Sequence, residues 1–268
     1  MMSKFKALTI AGSDTSGGAG IQADLKTFQE LGVYGMTAIN VVVAQDPDRE
    51  WFHEVFMLPL DLFKAQLKTV LGGIGVDAVK TGMLASVEVI KATAEAIEKY
   101  DIKTVVVDPV MVCKGSEPLH PELAETLQNV LVPKATVVTP NLFEAAQLSG
   151  MNAITTIDEM KEAAQKIQAG GAKYVIVKGG GKLQHEKAID VLYDGKTFEV
   201  LESEKIDTTY THGAGCTFAS AVAAELAKGK PVHDAIAVAK DFITAAIRHS
   251  FPINQYVGPT DHSAYRNQ

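Results

Sequence analysis

The segment THGAGCTFASAVAAELAKG, residues 211 to 229, sets Cys216 behind Gly213, Ala214 and Gly215 at the start of an apolar helix that Gly229 stops. Unobstructed amides and the positive end of a helix make such a turn a cradle for negative charge, as on a phosphoryl group in transfer. The same field lowers a thiol's pKa, so Cys216 is expected to act as thiolate, general base or hydroxyl-orienting group. The plainer alternative is a small residue that packs the turn. His212, just before the turn, either touches a substrate or only shapes the loop.

Other segments place chemically useful residues where apolar runs end. VVVDPVMVCKGSE, residues 105 to 117, closes a run with Asp108 and continues through Cys113, Lys114 and Glu117. VVTPNLFEAAQLSG closes another with Asn141 and Glu144 on the first turn of a helix. A carboxylate there can complement the helix dipole, or, with a second acid, hold Mg²⁺ together with phosphates. GSDTSGGAG, residues 12 to 20, joins a strand to a helix through glycines that let backbone approach a ligand, or through a tight turn and no more. Its glycine spacing is not that of a dinucleotide-binding fingerprint. VKGGGKLQ puts Lys178 before Gly179 to Gly181, but it lacks the upstream glycine and the Ser or Thr of a P-loop. A phosphate-handling lysine and a hairpin entrance both remain open there.

These residues need a scaffold that gathers strand ends, and the apolar pattern supplies one. FKALTIAG reads as a strand, and from Ala19 the positions Ile21, Leu25, Phe28 and Leu31 recur at helical spacing up to Gly32. The alternation continues with MTAINVVVAQ as strand, Pro59 to about Leu71 as helix, VDAVKTG as strand and SVEVIKATAEAIEKY as helix. KTVVVDP, a helix near 121 to 131, ATVVTP, and helices near 141 to 149 and 156 to 169 follow. KYVIVKGG is a strand, AIDVLYDGKTFEVLE a hairpin turning at Asp194-Gly195, and helices near 214 to 228 and 231 to 248 complete the pattern. The expectation is an α/β fold with a central, mostly parallel β-sheet flanked by α-helices on both faces, its site at the carboxyl ends of the strands. No linker, repeat or charge block divides residues 1 to 268, which are expected to form a single domain, with 258 to 268 as a loose tail.

Composition narrows the partners. Of 268 residues, 47% are hydrophobic, enough for one large core, and 25 Lys and Arg against 32 Asp and Glu give a net charge of −7. That balance offers no broad attraction to nucleic acid or anionic lipid. Apolar runs are too short to span a membrane, and the N-terminal residues show no secretion signal, so a cytoplasmic protein with reduced thiols at Cys113 and Cys216 is expected.

Taken in order, LTIAGSDTSGGAGIQADLKTFQELGVYG, VKTGML, DPVMVCKG, TPNLFEA, VKGG and THGAGCTF resemble the ribokinase superfamily, in its branch of hydroxymethylpyrimidine kinases and similar pyridoxal kinases. The resemblance covers nearly the whole chain. It implies a ribokinase-like fold and transfer of the γ-phosphoryl of MgATP to a hydroxymethyl group on a vitamin-like heteroaromatic ring, by an enzyme commonly found as a homodimer. Position by position, it implies an anion hole of Gly213, Ala214 and Gly215 with the Cys216 amide, where many superfamily members end on aspartate. Lys178, Gly179 and Gly180 would handle phosphates, and Asp108, Asn141 and Glu144 would organise Mg²⁺ and its waters, with help from Glu117. Gly12, Ser13, Asp14, Gly20, Gln45, Gly82 and Met83 would form the ring pocket, Asp14 bonding a ring substituent and Met83 giving an apolar face.

Two substrates divide this branch. The loop VMVCKGSE, with GAGCTF and NQYVGPTDHSA, is more similar to the pyridoxal kinases. Cys113 could then add reversibly to the pyridoxal aldehyde and bracket the ring with Cys216, or could be a packed loop residue. Gln45 argues for a pyrimidine, since an amide can pair with its amino group and ring nitrogen. Pyridoxal, pyridoxine and pyridoxamine are the expected substrates, phosphorylated at the 5'-hydroxymethyl group. Hydroxymethylpyrimidine kinase activity, a bifunctional enzyme, and a vitamin-binding sensor or carrier are the alternatives.

Overall fold

The computed structural model describes residues 4–111 and 121–267. In chain order the elements are β1 (Lys6–Asp14), α1 (Gly20–Glu30), β2 (Tyr34–Asp46), β3 (Phe52–Met57), α2 (Leu60–Leu67), β4 (Ala78–Thr81), α3 (Val87–Lys99) and β5 (Val105–Val107). They continue with α4 (Pro121–Thr126), β6 (Val137–Val138), α5 (Leu142–Ser149), α6 (Ile157–Ala169), β7 (Tyr174–Gly180), β8 (Ala188–Tyr193), β9 (Phe198–Ser203), α7 (Ala214–Ala227) and α8 (Val232–Arg248). α2 and α4 each run on into wider π-type turns, at Lys68–Ile74 and Leu127–Leu131.

All the strands join one nine-stranded sheet in the order β3-β2-β1-β4-β5-β6-β7-β8-β9. Pairings from β2 through β7 are parallel, and the edges β3, β8 and β9 are antiparallel. The mostly parallel α/β sheet expected from the alternation is therefore present. After β1 the chain first lays down β2 on one side and later β4 on the other. Such a reversal opens a crevice at the carboxyl ends of the strands.

Burial on both faces explains the uninterrupted apolar runs. Val79, Val105, Val107, Val138, Val175 and Val177 face one core with α2 through α6, whereas Ala78, Val106, Val137 and Ile176 face the other with α1, α7 and α8. α7 is apolar nearly all round because sheet, α1 and α8 enclose it. Its small residues, among them Ala219, Ser220, Ala221, Ala223 and Ala224, let the backbone lie close to the strands, which fixes where its N-terminus can point. Ends are set locally as well: Ser86 caps α3, and capping boxes at Asn141/Glu144 and Thr156/Glu159 start α5 and α6.

Two differences from the sequence reading stand out. β3 follows a charged turn, and its side chains at Phe52, Val55, Phe56 and Met57 are exposed, so no buried face gives the segment a clear period. The stretch from 258 on is not a loose tail. Val257, Thr260, His262 and Ala264 are buried, Pro259 bridges His212, and the Tyr265 ring lies 5.2 Å from that of Phe242. A tail rich in small and polar residues is held here by backbone pairing and by the Thr217 hydroxyl, 3.0 Å from His262 Nε2.

Deleting residues 259 to 268 should therefore lower the thermal midpoint by about 5 °C or more, the shift that roughly 2 kcal/mol produces in a chain of this size. Differential scanning calorimetry giving the full-length midpoint would mean that the segment contributes nothing to the fold.

Candidate active site

The first turn of α7 stands over the ends of the central strands. Its N-cap, Gly213, has φ +78°, and a Cβ there would run into the Gly18 carbonyl oxygen, so glycine alone fits. Ala214 N–H donates to Thr211 O and Thr217 N–H to Gly213 O, whereas the Gly215 and Cys216 amides fall where an α-helix offers no acceptor of its own. Gly215 also keeps the approach open. A Cβ on it would lie 3.5 Å from Lys178 Nζ and 3.9 Å from Asp108 Oδ2, which brings lysine, carboxylate and free amides into one place.

On the β5 to β7 side of that turn the charges interlock. Lys178, at the end of β7, donates from Nζ to Asp108 Oδ1 at 3.1 Å, and Thr139 Oγ1 donates to the same oxygen at 3.2 Å. Burial works against the Lys178 ammonium, but Asp108 and Glu144 outweigh it and raise its pKa. Glu144 closes the capping box of α5, its Oε2 accepting the Asn141 amide at 2.9 Å. Burial, joined by the charge of Asp108, pushes the Glu144 carboxyl up to about 7 against the pull of Lys178. Gly179 and Gly180 form a bulge after Lys178: a Cβ on Gly179 would sit 2.6 Å from Ile189 O, and Gly180 N–H donates to Asp190 Oδ1 at 3.2 Å.

On the β1 and β2 side, Asp14 gathers the loop. Its Oδ1 accepts from Ser16 N at 2.9 Å, Ser16 Oγ at 2.8 Å and Gln45 Nε2 at 2.7 Å, while Oδ2 accepts from Ala19 N and sits opposite His212 Nε2, both at 2.8 Å. Burial raises this carboxyl's pKa, but the His212 bond and charge, with Ser16 and Gln45, hold it far below the usual carboxylate range. These donors occupy about all the lone pairs a carboxylate has. Asp14 is thus not free to bond a ring substituent, and its part is to position others. Because a carboxylate only accepts, Gln45 must turn its NH₂ toward Asp14, leaving its carbonyl oxygen for a ligand. One N–H of Gln45 is spent on Asp14, so a ligand meets the carbonyl oxygen and the second N–H, an acceptor and a donor side by side.

The rest of the expected ring pocket lies around this loop. Gln22 bridges Ser13 Oγ and the Asp14 amide, and Gly12 sits at the register shift between β1 and β2, where a Cβ would meet Val41 at 2.8 Å. Gly20 starts α1 at φ +56°. Gly82 follows β4, its N–H donating to Ile10 O, and the Met83 carbonyl accepts from Asn40 Nδ2 at 2.9 Å. Cys113, Lys114 and Glu117 lie outside the described residues.

Sequence reasoning missed what lies beneath. Lys80, fully buried in β4, lies 2.9 Å from both oxygens of Asp24 in α1, and Asp24 also accepts from Thr9 and Ser220, each at 2.6 Å. The available signal was a lysine inside an apolar strand, which calls for a buried acid. His212 was the other open question. It ties the loop before α7 to Asp14, with Ser16 Oγ 3.4 Å from its Nε2.

Cys216 sits between the two halves, half-buried, with the Gly20 amide directed at its sulfur. The helix field was expected to favour a thiolate. Burial overrides it: desolvation, with the negative charges of Asp24 and Asp108, pushes the thiol up to about 12 despite Lys80 and the Gly20 amide. In the ligand-free site, burial thus favours the neutral thiol over the thiolate that the helix field alone would give.

The pair Asp108 and Glu144 suits a divalent cation. Each carboxylate sits in the other's field, which a cation would relieve, and Mg²⁺ commonly binds through one or two carboxylates plus substrate phosphates. Among the described residues no group of three or more His, Cys, Asp or Glu could hold a metal without such help.

The chain is similar over nearly its whole length to known proteins. The family described as phosphomethylpyrimidine kinase matches residues 14–261. The chain is 66% identical over 266 residues to the pyridoxine kinase of Bacillus subtilis, covering 99% of this chain and 98% of that protein. It is 44% identical over 266 residues to the hydroxymethylpyrimidine/phosphomethylpyrimidine kinase of the same organism, covering 99% and 97%. The solved structure of Staphylococcus aureus pyridoxal kinase in complex with AMP-PCP and pyridoxal superposes with a TM-score of 0.94 at 51% identity, over 98% of this chain and 95% of that one.

Two outcomes test the electrostatics. In a Cys113→Ala background, iodoacetamide alkylation of Cys216 should still be accelerating through about pH 9, whereas a plateau near neutrality would reveal a thiolate. For Glu144, the neutral acid's contribution to stability is complete below its unfolded pKa of about 4.5 and is lost as pH rises through about 7. In EDTA and without nucleotide, Glu144→Gln should therefore melt with wild type near about pH 5 and above it near about pH 8. Parallel melting curves would deny the raised pKa.

Proposed function

The chain belongs to the phosphomethylpyrimidine kinase family, and from that membership we propose that it is a vitamin B6 kinase, transferring the γ-phosphoryl of ATP to the 5'-hydroxymethyl group of pyridoxal, pyridoxine and pyridoxamine. One observation carries the choice of substrate. Of two relatives from one organism, the pyridoxine kinase shares 66% identity and the hydroxymethylpyrimidine/phosphomethylpyrimidine kinase 44%, each over 266 residues. The geometry supports the chemistry: Lys178, Asp108 and the open first turn of α7 converge on the end of β7, and Cys216 stands beside the Gly20 end of the Asp14 loop.

In this reading the nucleotide phosphates lie against Lys178 and the Gly179-Gly180 bulge, and the free amides of Gly215 and Cys216 face the group in transfer. Asp108 and Glu144, near Asn141, would hold Mg²⁺ brought with ATP, which neutralises phosphate charge when bound. The vitamin ring takes the Gly12 to Gly20 loop, Gln45 and the Gly82-Met83 segment, with the Gln45 carbonyl accepting from the ring's phenol. The Cys216 thiol orients the hydroxymethyl group for in-line attack. A largely dissociative transfer asks for position and charge neutralisation more than for a strong base, so a neutral thiol suffices.

The same phenol-facing carbonyl could accept from a pyrimidine amino group, which keeps hydroxymethylpyrimidine as a secondary substrate. A homodimer and a cytoplasmic location complete the proposal. The edge strand β3 leaves Val55, Phe56 and Met57 exposed, and no described helix is long and apolar enough to cross a membrane.

Steady-state assays with MgATP should give pyridoxal or pyridoxine a kcat/KM at least about tenfold above hydroxymethylpyrimidine, some 1.4 kcal/mol of transition-state discrimination. Hydroxymethylpyrimidine in the lead would assign the protein to thiamin synthesis. Tight vitamer binding with no phosphoryl transfer would make it a sensor or carrier.

A further inference from the structure

Asp190 in β8 and Lys240 in α8 form a buried ion pair that the transfer described above does not use. Lys240 Nζ lies 2.5 Å from Asp190 Oδ2 and 3.3 Å from Ala188 O, and the two residues are 7% and 4% exposed. The other oxygen of Asp190 accepts the Gly180 amide at 3.2 Å.

Register gives this pair its meaning. Asp190 is the direct antiparallel partner of Lys178. Directly opposed residues project from the same face with Cβ atoms about 5 Å apart, well within reach of a lysine. Their neighbours Ile176 and Leu192 identify that face as the one covered by α7 and α8. Lys178 nevertheless reaches the other way, to Asp108 Oδ1 at 3.1 Å and over the Phe218 ring at 6.0 Å. Its closest cross-strand acid is already occupied by a second lysine.

We propose that Lys240 is a positioning residue for nucleotide binding: by neutralising Asp190 it keeps Lys178 on Asp108 and the phosphate site, and through Asp190 it fixes the Gly180 amide of the bulge. Without the Lys240 charge, Asp190 becomes a buried, uncompensated carboxylate opposite Lys178, and the nearest cation able to relieve it is Lys178 itself. The inference rests on the reading of Lys178 as a phosphate-binding residue.

A charge-removal cycle separates the two. KM values for ATP and for pyridoxal are measured in Lys178→Met, Lys240→Met, Asp190→Asn and the Lys240→Met/Asp190→Asn double variant, each checked by thermal melting. Lys240→Met is expected to raise KM for ATP by about tenfold and leave KM for pyridoxal within about twofold, because only the phosphate lysine is diverted. In the double variant Asp190 no longer competes and Asn can still accept the Gly180 amide, so KM for ATP should return to within about threefold of wild type. A merely structural pair predicts the reverse, with the double variant no better than the single one.

An unchanged KM for ATP in Lys240→Met, or no recovery in the double variant, overturns the proposal. If Lys178→Met itself leaves KM for ATP unaltered, the reading of Lys178 fails instead. Should Lys240→Met not fold, Lys240→Gln carries the same expectation without the charge. If neither single variant folds, the double variant decides alone, a raised KM for ATP counting against the proposal.

Discussion

The ion pair between Lys80 and Asp24 is the interaction on which the rest of the site depends. It joins β4 to α1, and through Thr9 and Ser220 it also engages β1 and α7, all with no exposure to solvent. A buried pair of this kind is weak evidence of net stability, yet removing one partner costs about 3–5 kcal/mol because the other is left charged and unpaired. Its better-supported consequence is register. The four elements that frame the crevice at the β1/β4 reversal can meet in only one way, since any slip separates a buried ammonium from its carboxylate.

That fixed frame sets the position of the α7 N-terminus, and the N-terminus divides the site. On one side Asp14 gathers backbone amides, Gln45 and His212 into a loop whose carboxylate is saturated with donors. On the other, Lys178 pairs with Asp108, and the Glu144 carboxyl beside them is pushed toward its neutral form by burial and by the charge of Asp108. In the proposed reading the first half would hold the vitamin ring, with the Gln45 amide facing it. In the same reading the second would take the nucleotide phosphates, and a divalent cation there would draw Glu144 back to its charged form. One helix terminus serves both because its glycines admit backbone on one side and the Lys178 ammonium on the other.

How much of this was legible in the sequence follows from what each signal reports. Strand and helix order came through because burial on both faces writes long apolar runs, and the glycine turn before Cys216 came through because only glycine fits at Gly213. β3 did not, since its exposed side chains carry no burial pattern. The C-terminal segment misled for the opposite reason: its polar composition says nothing of a backbone bridge to His212 formed across some 47 residues. Asp14 and Gln45 were expected in one pocket and do meet, at 2.7 Å, but the hydrogen-bond saturation of Asp14 is a property of the assembled loop that no sequence signal reports.

Cys216 shows why a local field is an incomplete guide to protonation. A helix N-terminus favours anions, and at a solvated position that would lower a thiol's pKa. Here Asp24 and Asp108 already place negative charge near the sulfur, and Lys80 is engaged by Asp24 on both oxygens. An aspartate at 216 would add a further anion to this crowded field before any ligand arrived. A thiol adds none. It can stay neutral beside two carboxylates, remain small enough to leave the Gly215 and Cys216 amides open, and, in the proposed reading, would still present a polarisable atom to the substrate hydroxyl. The cysteine is thus matched less to the helix that carries it than to the buried charges beneath that helix.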